Sequence, residues 1–253
     1  MIFIKKIFKR SKSLGQFGLL NFIVFFVLLA LSFFDDRTLN GVNVWMKPMK
    51  FAISIGIFSW TMAWYLFYLP QIRKVQKIKL TIITAMLIEQ VIIIYQASMG
   101  ELSHYNISSI NNAVLFQLMG IAILINTIMV FWTYRLFSVV ESLFPGYKRG
   151  IQLGMLVFVV ASLEGFLMVG NLGHTIGAPD GQEGIFFFNW AKTYGDLRIF
   201  HFLGLHALQA VPLFAWNFAR DNVKKVNIFA AIYFILSLGT LWNALAGRGI
   251  FWL

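Results

Sequence analysis

The chain has 253 residues, and its composition excludes a soluble globular protein. Residues of the AVILMFWYC set make up 59% of it, whereas soluble domains contain roughly 45–50% even when Gly is counted. Charged residues supply 12%, about half of the usual share. The composition therefore predicts a protein whose solvent is the lipid bilayer.

The net charge of +11 comes from 21 Lys and Arg against 10 Asp and Glu. The cations lie in short clusters between apolar stretches, which favours contact with anionic lipid headgroups over binding to nucleic acid. The absence of Cys excludes disulfides, thiolate zinc sites and iron–sulfur clusters. A metal site would therefore need His, carboxylate, Tyr or Met ligands, and the chain has four His.

Seven apolar stretches are each long enough to cross about 30 Å of hydrocarbon as a helix. They lack the alternation of polar and apolar residues that is typical of a membrane β-barrel. The first stretch is also longer than the apolar part of a signal peptide, so we expect it to be retained. The predicted fold is an all-α bundle forming one domain over residues 1–253. Its spans are residues 16–34, 51–69, 80–99, 113–134, 151–171, 199–219 and 226–246.

The distribution of Lys and Arg predicts the orientation of the bundle. Of the 21 cations, 15 lie at the ends that share a side with the N-terminus, and 6 lie at the opposite ends. Because the richer side of a membrane protein faces the cytoplasm, we expect a cytoplasmic N-terminus and an extracytoplasmic C-terminus. The expected location is the inner (cytoplasmic) membrane.

The connections between spans are short except for an outer loop over residues 172–197. This loop contains five Gly and the turn signal Pro179-Asp180-Gly181. The sequence shows no convincing internal repeat, so it offers no support for an inverted-repeat transporter.

The polar side chains of the spans concentrate toward the outer side. At 1.5 Å per residue, Glu164 and His206 lie about 10 Å below the outer ends of their helices, and Glu89 and Gln209 lie about 15 Å below. Because lipid is a costly environment for such groups, we expect them to line a cavity open to the outside. The predicted cavity residues are Glu89, Gln96, Glu164, Arg198, His206, Gln209 and Asn243, with Lys50 at the edge and His104, His174 and His201 at the rim.

These residues also allow structural interpretations. An intramembrane Glu can be protonated and bond to a neighbouring helix, and a His can serve only in packing. His201 and His206 are five residues apart, so they point about 140° apart and are poorly placed to bind one metal. Asp196 lies where the sixth span needs an N-cap. Lys50 can extend to the headgroups rather than bind a ligand.

The stretches His174-Thr175-Ile176-Gly177-Ala178-Pro179-Asp180-Gly181 and Gly195-Asp196-Leu197-Arg198, followed by residues 201–209, resemble a family of bacterial multi-pass membrane proteins of unknown activity. The likeness extends to residues 47–51 and 103–106 and so covers most of the chain. It implies a membrane location and no particular reaction. The chain also departs from the seven-helix zinc hydrolases of lipid amides, since it lacks their His-x-x-x-His and Ser-x-x-x-His spacings.

Three functions remain open from the sequence. The first is a metal-dependent enzyme acting on a lipid or small amphiphile, with zinc or iron held by His104, His174, His201 or His206 and with Glu164, Asp196 or Glu89 in catalysis. The second is a proton- or solute-coupled carrier or receptor that uses Glu89 and Glu164. The third is a b-type haem protein with axial His ligands.

Overall fold

The computed structural model describes residues 2–250, and eight α-helices lie in this range. The helices and strands are α1 (Ile2–Arg10), α2 (Lys12–Leu31), β1 (Thr38–Leu39), β2 (Val42–Asn43), α3 (Met46–Leu66), α4 (Ile72–Ser98), α5 (Ile110–Leu136), α6 (Pro145–Gly170), β3 (Thr175–Ile176), β4 (Gly195–Asp196), α7 (Arg198–Phe218) and α8 (Val223–Leu245). A 3₁₀ turn, Phe137–Val139, follows α5. The all-α prediction is confirmed.

Six helices of the described range are long and apolar enough to cross a membrane, namely α2, α4, α5, α6, α7 and α8. The chain is therefore a multi-pass helical membrane protein. The predicted second span corresponds to α3, which has 21 residues but is not among these six. Its first turn carries Lys47 and Lys50, which lower its apolar character.

The helices begin earlier than the predicted spans because they continue through their polar flanks. The largest difference is in α4, which begins at Ile72 rather than at residue 80. Its first two turns contain Arg73, Lys74 and Lys77. A count of apolar residues finds the part of a helix that lies in hydrocarbon, whereas the hydrogen-bonded helix extends beyond it.

The chain forms two compact units, residues 1–129 and residues 130–253, and the boundary lies within α5. In unit 1, α2 packs against α3 through glycines that accept aromatic rings. A Cβ on Gly18 would lie 2.3 Å from the Trp60 ring, and a Cβ on Gly56 would lie 2.7 Å from the Phe22 ring. The Trp60 indole also donates a hydrogen bond to the carbonyl of Gly15 at 3.1 Å. These contacts fix α2 and α3 as antiparallel neighbours.

A two-stranded antiparallel ribbon, β1–β2, connects α2 to α3. Its turn consists of Asn40 and Gly41, both with positive φ (50° and 75°), as a type I′ hairpin requires. The Asp35 carboxylate accepts hydrogen bonds from the Arg37 guanidinium and from the Trp45 indole. The ribbon is thus tied to the start of α3.

In unit 2, α6 and α7 are packed closely along their length by small residues. Gly146, Gly150 and Gly154 recur every four residues on α6, and a Cβ on Gly154 would lie 2.7 Å from the carbonyl oxygen of Ala207. On α7, a Cβ on Gly204 would lie 2.3 Å from the Cβ of Ala161. Small residues at this spacing allow two membrane helices to approach at backbone distance.

The two units share one order of elements. In each, a long helix is followed by a two-stranded antiparallel ribbon, a helix of 21 residues, a short connection and a further long helix. In unit 1 these elements are α2, β1–β2, α3 and α4, and in unit 2 they are α6, β3–β4, α7 and α8. The repetition is in the order of the secondary-structure elements and not in the amino-acid sequence, which explains why the sequence alone did not reveal it.

We predict that Gly154→Ala destabilises the protein by about 1–3 kcal/mol, because the added methyl group meets backbone that cannot move aside. The measurement is thermal unfolding of the purified protein in detergent. Gly239→Ala in α8 is the matched control, since nothing lies within 4 Å of the added Cβ. It should be neutral or stabilising by up to about 1 kcal/mol. Equal unfolding temperatures for both variants would contradict the close packing of α6 and α7.

Candidate functional site: two buried carboxylate–imidazole pairs

The first pair joins Glu164 of α6 to His201 of α7. The Glu164 Oε2 and the His201 Nδ1 lie 3.2 Å apart. Glu164 is 7% exposed, and its second carboxyl oxygen is buried without a hydrogen-bond partner. Glu164 lies six residues before the end of α6, about 9 Å along the helix axis. The pair therefore lies inside a membrane helix, near one of its ends.

Close packing of α6 and α7 produces this pair. A Cβ on Gly165 would lie 3.5 Å from the His201 ring, an ordinary contact distance, so the imidazole lies directly beside α6 at this position. The sequence placed Glu164 level with His206 instead. The observed hydrogen bond of His206 is to Gln209 on its own helix, at 3.3 Å, and its ring packs on Phe202. His201 and His206 project from α7 in directions about 140° apart, so only one of them can face Glu164, and this one is His201.

The second pair lies in unit 1 and joins Glu89 of α4 to His104 in the loop after α4. The Glu89 Oε1 lies 3.4 Å from the His104 Nε2, and Glu89 is 1% exposed. Neither carboxyl oxygen has a hydrogen-bond partner. The positive charge of Lys47, from the first turn of α3, also acts on this carboxylate. Glu89 therefore meets cationic or ionisable groups from two other segments of unit 1.

His104 is held in place from its other side. Its Nδ1 lies 3.1 Å from the Ser103 hydroxyl, and its ring is flanked by Phe51 and Phe116 at centroid distances of 5.6 and 6.2 Å. The aromatic rings cover part of the imidazole, whose side chain is 19% exposed, while the hydroxyl fixes its orientation. His104 thus presents its Nε2 toward Glu89.

Other predicted cavity residues make structural hydrogen bonds. Gln96 donates to the carbonyl of Leu102 and to the side chain of Asn112. Asn243 donates to the carbonyls of Arg248 and Gly249, just beyond the end of α8. Lys50 is half-buried in the first turn of α3. A ligand-binding role for these three residues stays a prediction.

Asp196 and Arg198 form an ion pair where the loop over residues 172–197 meets α7. The Asp196 carboxylate accepts from Nε and Nη2 of Arg198 at 2.9 and 2.6 Å, and from the backbone N–H groups of Arg198 and Ala191. Its bond to the Arg198 N–H lies at the first residue of α7, although the N-cap position itself is Leu197. The prediction of Asp196 as the N-cap is therefore wrong by one residue, and its carboxylate instead accepts the first N–H of the helix.

Burial raises the pKa of Asp196, but the hydrogen bonds and charge of Arg198 outweigh this effect and bring the net pKa below its usual value. Arg198 also donates to the carbonyl of Asn189, so the ion pair fixes the returning end of the loop. This engagement favours a structural role for both residues over catalysis or substrate binding.

His174 pairs with Asp180 within the same loop. The His174 Nδ1 and the Asp180 Oδ1 are 3.1 Å apart, and the Asp180 carboxylate accepts from the backbone N–H groups of His174 and Thr175. Sequence reasoning had assigned Asp180 only to a turn. Its position six residues after His174, across a Gly-rich turn, is the signal that could have identified the pair.

The four His do not form a common metal centre among the residues that the structure describes. Over residues 2–250, no group of three or more His, Asp or Glu side chains is arranged to hold a metal ion. His174, His201 and His206 each have a different nearest polar partner: Asp180, Glu164 and Gln209. The metal and haem hypotheses stay predictions without support from this geometry.

Comparison with known proteins adds no activity. No family model, no curated protein and no solved structure matches the chain. This result is consistent with the resemblance to a family of membrane proteins of unknown activity.

We predict that Asp196→Asn lowers the free energy of unfolding near neutral pH by about 1–3 kcal/mol, because it leaves the half-buried Arg198 guanidinium without its counter-charge. Since the pKa of Asp196 is lowered by folding, its stabilising contribution is present above its ordinary value of 3.8 and is lost as the pH falls below it. Unfolding temperatures measured from pH 7 to pH 3 should decline more steeply for the wild type than for the variant.

Glu183→Gln is the control for this pH series. Its hydrogen bond to Lys192 also lowers the pKa of Glu183, but the side chain is 83% exposed, so solvent screens the pair. This variant should follow the wild type. Parallel pH curves for the wild type and Asp196→Asn would show that Asp196 is not a stabilising anion.

Proposed function

We propose that the protein is a proton-coupled carrier of a small solute in the inner membrane, with Glu89 and Glu164 as its proton-binding groups. The observation that carries the proposal is the pairing of each buried Glu with a His, Glu164 with His201 and Glu89 with His104. Intramembrane carboxylates and histidines are typical of proton relays in pumps and transporters.

The energetics of a buried pair favour a proton-binding role. A Glu–His pair that holds one ionisable proton on either member is electrically neutral, whereas loss of this proton leaves a net negative charge in a low-dielectric interior. The buried carboxyl oxygens without a hydrogen-bond partner, one in Glu164 and two in Glu89, increase the cost of that charge. Binding and release of a proton therefore change the energy of each unit strongly enough to be linked to a conformational change.

The shared order of elements in the two units is a second supporting observation. Internal repeats, including parallel ones, are common among secondary transporters. One carboxylate–imidazole pair lies in each unit. A carrier built from two related units, each with its own proton site, accounts for both features.

A metal-dependent enzyme has less support. Water activation by zinc requires three protein ligands around one ion, and no such group lies within residues 2–250. Each Glu–His pair offers two metal-ligating side chains. Two such groups can share a proton, but they do not complete a three-ligand zinc centre. The carrier also needs no reaction at Asp196, whose carboxylate already binds Arg198.

We further propose seven spans, in which α3 crosses the membrane, with the N-terminus in the cytoplasm and the C-terminus outside. The excess of cations on one side, 15 against 6, supports this orientation. The length of α3, 21 residues, is sufficient for a span.

The topology can be tested by single-cysteine labelling, because the chain has no Cys. With seven spans, a membrane-impermeant maleimide added outside intact cells should label Asp36→Cys and Ile107→Cys but not Glu141→Cys or Asp221→Cys. If α3 does not cross, every later segment changes side. Ile107→Cys would then be protected while Glu141→Cys and Asp221→Cys react, which would refute the seven-span arrangement.

The carrier is tested in proteoliposomes that contain a pH-sensitive dye. We expect at least one class among amino acids, sugars, carboxylic acids and organic cations to cause proton movement when added to one side. Glu164→Gln should lower the rate of this proton movement at least roughly tenfold, because a neutral amide cannot bind the proton. Solute exchange without a pH gradient should survive in this variant.

Glu183→Gln provides a matched control, since it makes the same chemical change at an exposed loop position. Infrared difference spectra of the same samples should show a titrating carboxylic-acid band that is reduced in Glu89→Gln and in Glu164→Gln. The proposal fails if no solute class moves protons through folded protein. It also fails if both Glu variants transport as the wild type does.

A further inference from the structure

The N-terminal helix α1 is separated from α2 by a break at Ser11. The backbone of Ser11 is extended (φ −156°, ψ 106°), although its N–H still bonds to the carbonyl of Ile7 at 2.9 Å. Ile7 is 1% exposed, so one face of α1 packs against the rest of unit 1. α1 is thus a separate short helix docked on the protein, not the first turns of a membrane span.

Arg10 holds α1 against the end of α3. Its guanidinium lies 3.5 Å from the centroid of the Trp64 ring and 4.8 Å from those of Phe67 and Tyr68. It also donates a hydrogen bond to the Trp64 carbonyl at 3.1 Å. At the other end of α1, the Phe3 ring stacks on Trp64. Cation–π contacts and ring stacking thus fix the side of α1 that faces α3.

The remaining surface of α1 combines cations with apolar side chains. Lys5, Lys6 and Lys9 are exposed, as is Lys12 at the start of α2. Phe3 and Ile4 are 56% and 43% exposed. The sequence contains no acidic residue before Asp35, so nothing in this segment neutralises the lysines.

More cations lie at the same end of unit 1. Because α2 and α3 are antiparallel and α4 begins six residues after α3 ends, the start of α4 lies at the end where α1 docks. This start contributes Arg73, Lys74, Lys77 and Lys79. The whole end therefore presents a basic surface, with exposed apolar side chains on α1.

We propose that α1 is an interfacial helix and that, with the start of α4, it binds the headgroups of anionic phospholipids. A charged surface beside Ile4 and the exposed part of the Phe3 ring fits a bilayer boundary, where these apolar groups enter the acyl region and the lysines contact phosphate. Each Lys near an anionic membrane adds a favourable electrostatic contribution. The docking by Arg10 gives α1 a fixed orientation. Cations that served only to set the membrane topology would not need to lie on a docked helix.

The test uses an Ile4→Cys variant labelled with an environment-sensitive fluorophore. The protein is placed in nanodiscs of phosphatidylcholine alone, or of phosphatidylcholine mixed with phosphatidylglycerol. Quenching by the uncharged quencher acrylamide should fall roughly twofold or more in the anionic discs, because bound headgroups then cover the docked helix. High salt should reduce this difference, since it screens the lysines.

Lys5→Gln/Lys9→Gln should remove the lipid dependence, whereas Lys224→Gln/Lys225→Gln at the start of α8 should preserve it. All four positions are exposed, so neither double variant should disturb folding, and unfolding temperatures verify this. Equal quenching in both lipids for the labelled Ile4→Cys protein with all its lysines intact would overturn the proposal. So would a lipid dependence that survives Lys5→Gln/Lys9→Gln.

Discussion

The interior of a bilayer offers no water to a charged side chain, and this constraint governs the arrangement of the polar residues here. Glu89 and Glu164 are both buried within membrane helices, so each must be neutralised from within the protein. Each has an imidazole within 3.4 Å, and Glu89 also lies within the field of Lys47. Oε1 of Glu164 and both carboxyl oxygens of Glu89 have no hydrogen-bond partner in the protein.

Helix packing makes the pairing in unit 2 possible. Two membrane helices with large residues at their contact are held apart by those side chains, and a Glu on one then reaches only long side chains on the other. Gly150 and Gly154 of α6 remove this separation, so that α7 approaches the α6 backbone at these positions. Small residues far from Glu164 thus set the geometry of its site, and the chemistry depends on packing over several turns.

The sequence predicted the membrane location, the all-α class and a helix at each of the seven apolar stretches, because length and hydropathy determine these features locally. It also identified Glu89 and Glu164 as intramembrane acids. The partner of each acid depended on the rotation of one helix against another, which a count of depth does not give, and so Glu164 was placed level with His206 rather than beside His201. The ribbon β1–β2 did have a local signal, since Asn40-Gly41 between short extended segments favours a type I′ turn.

Each unit also contains an Asp–Arg ion pair whose members are two residues apart, just before the ribbon in unit 1 and at the end of the ribbon in unit 2, but the two pairs differ in burial. The side chains of Asp35 and Arg37 are 22% and 50% exposed, so water and salt screen their attraction. Those of Asp196 and Arg198 are 0% and 24% exposed, and the carboxylate also accepts two backbone N–H groups. Breaking the buried pair leaves a desolvated charge, whereas breaking the exposed one does not. The same local motif therefore contributes strongly to the stability of unit 2 and weakly to that of unit 1. In unit 2 it also orders the start of α7, three residues before His201, and so helps to hold the imidazole that meets Glu164.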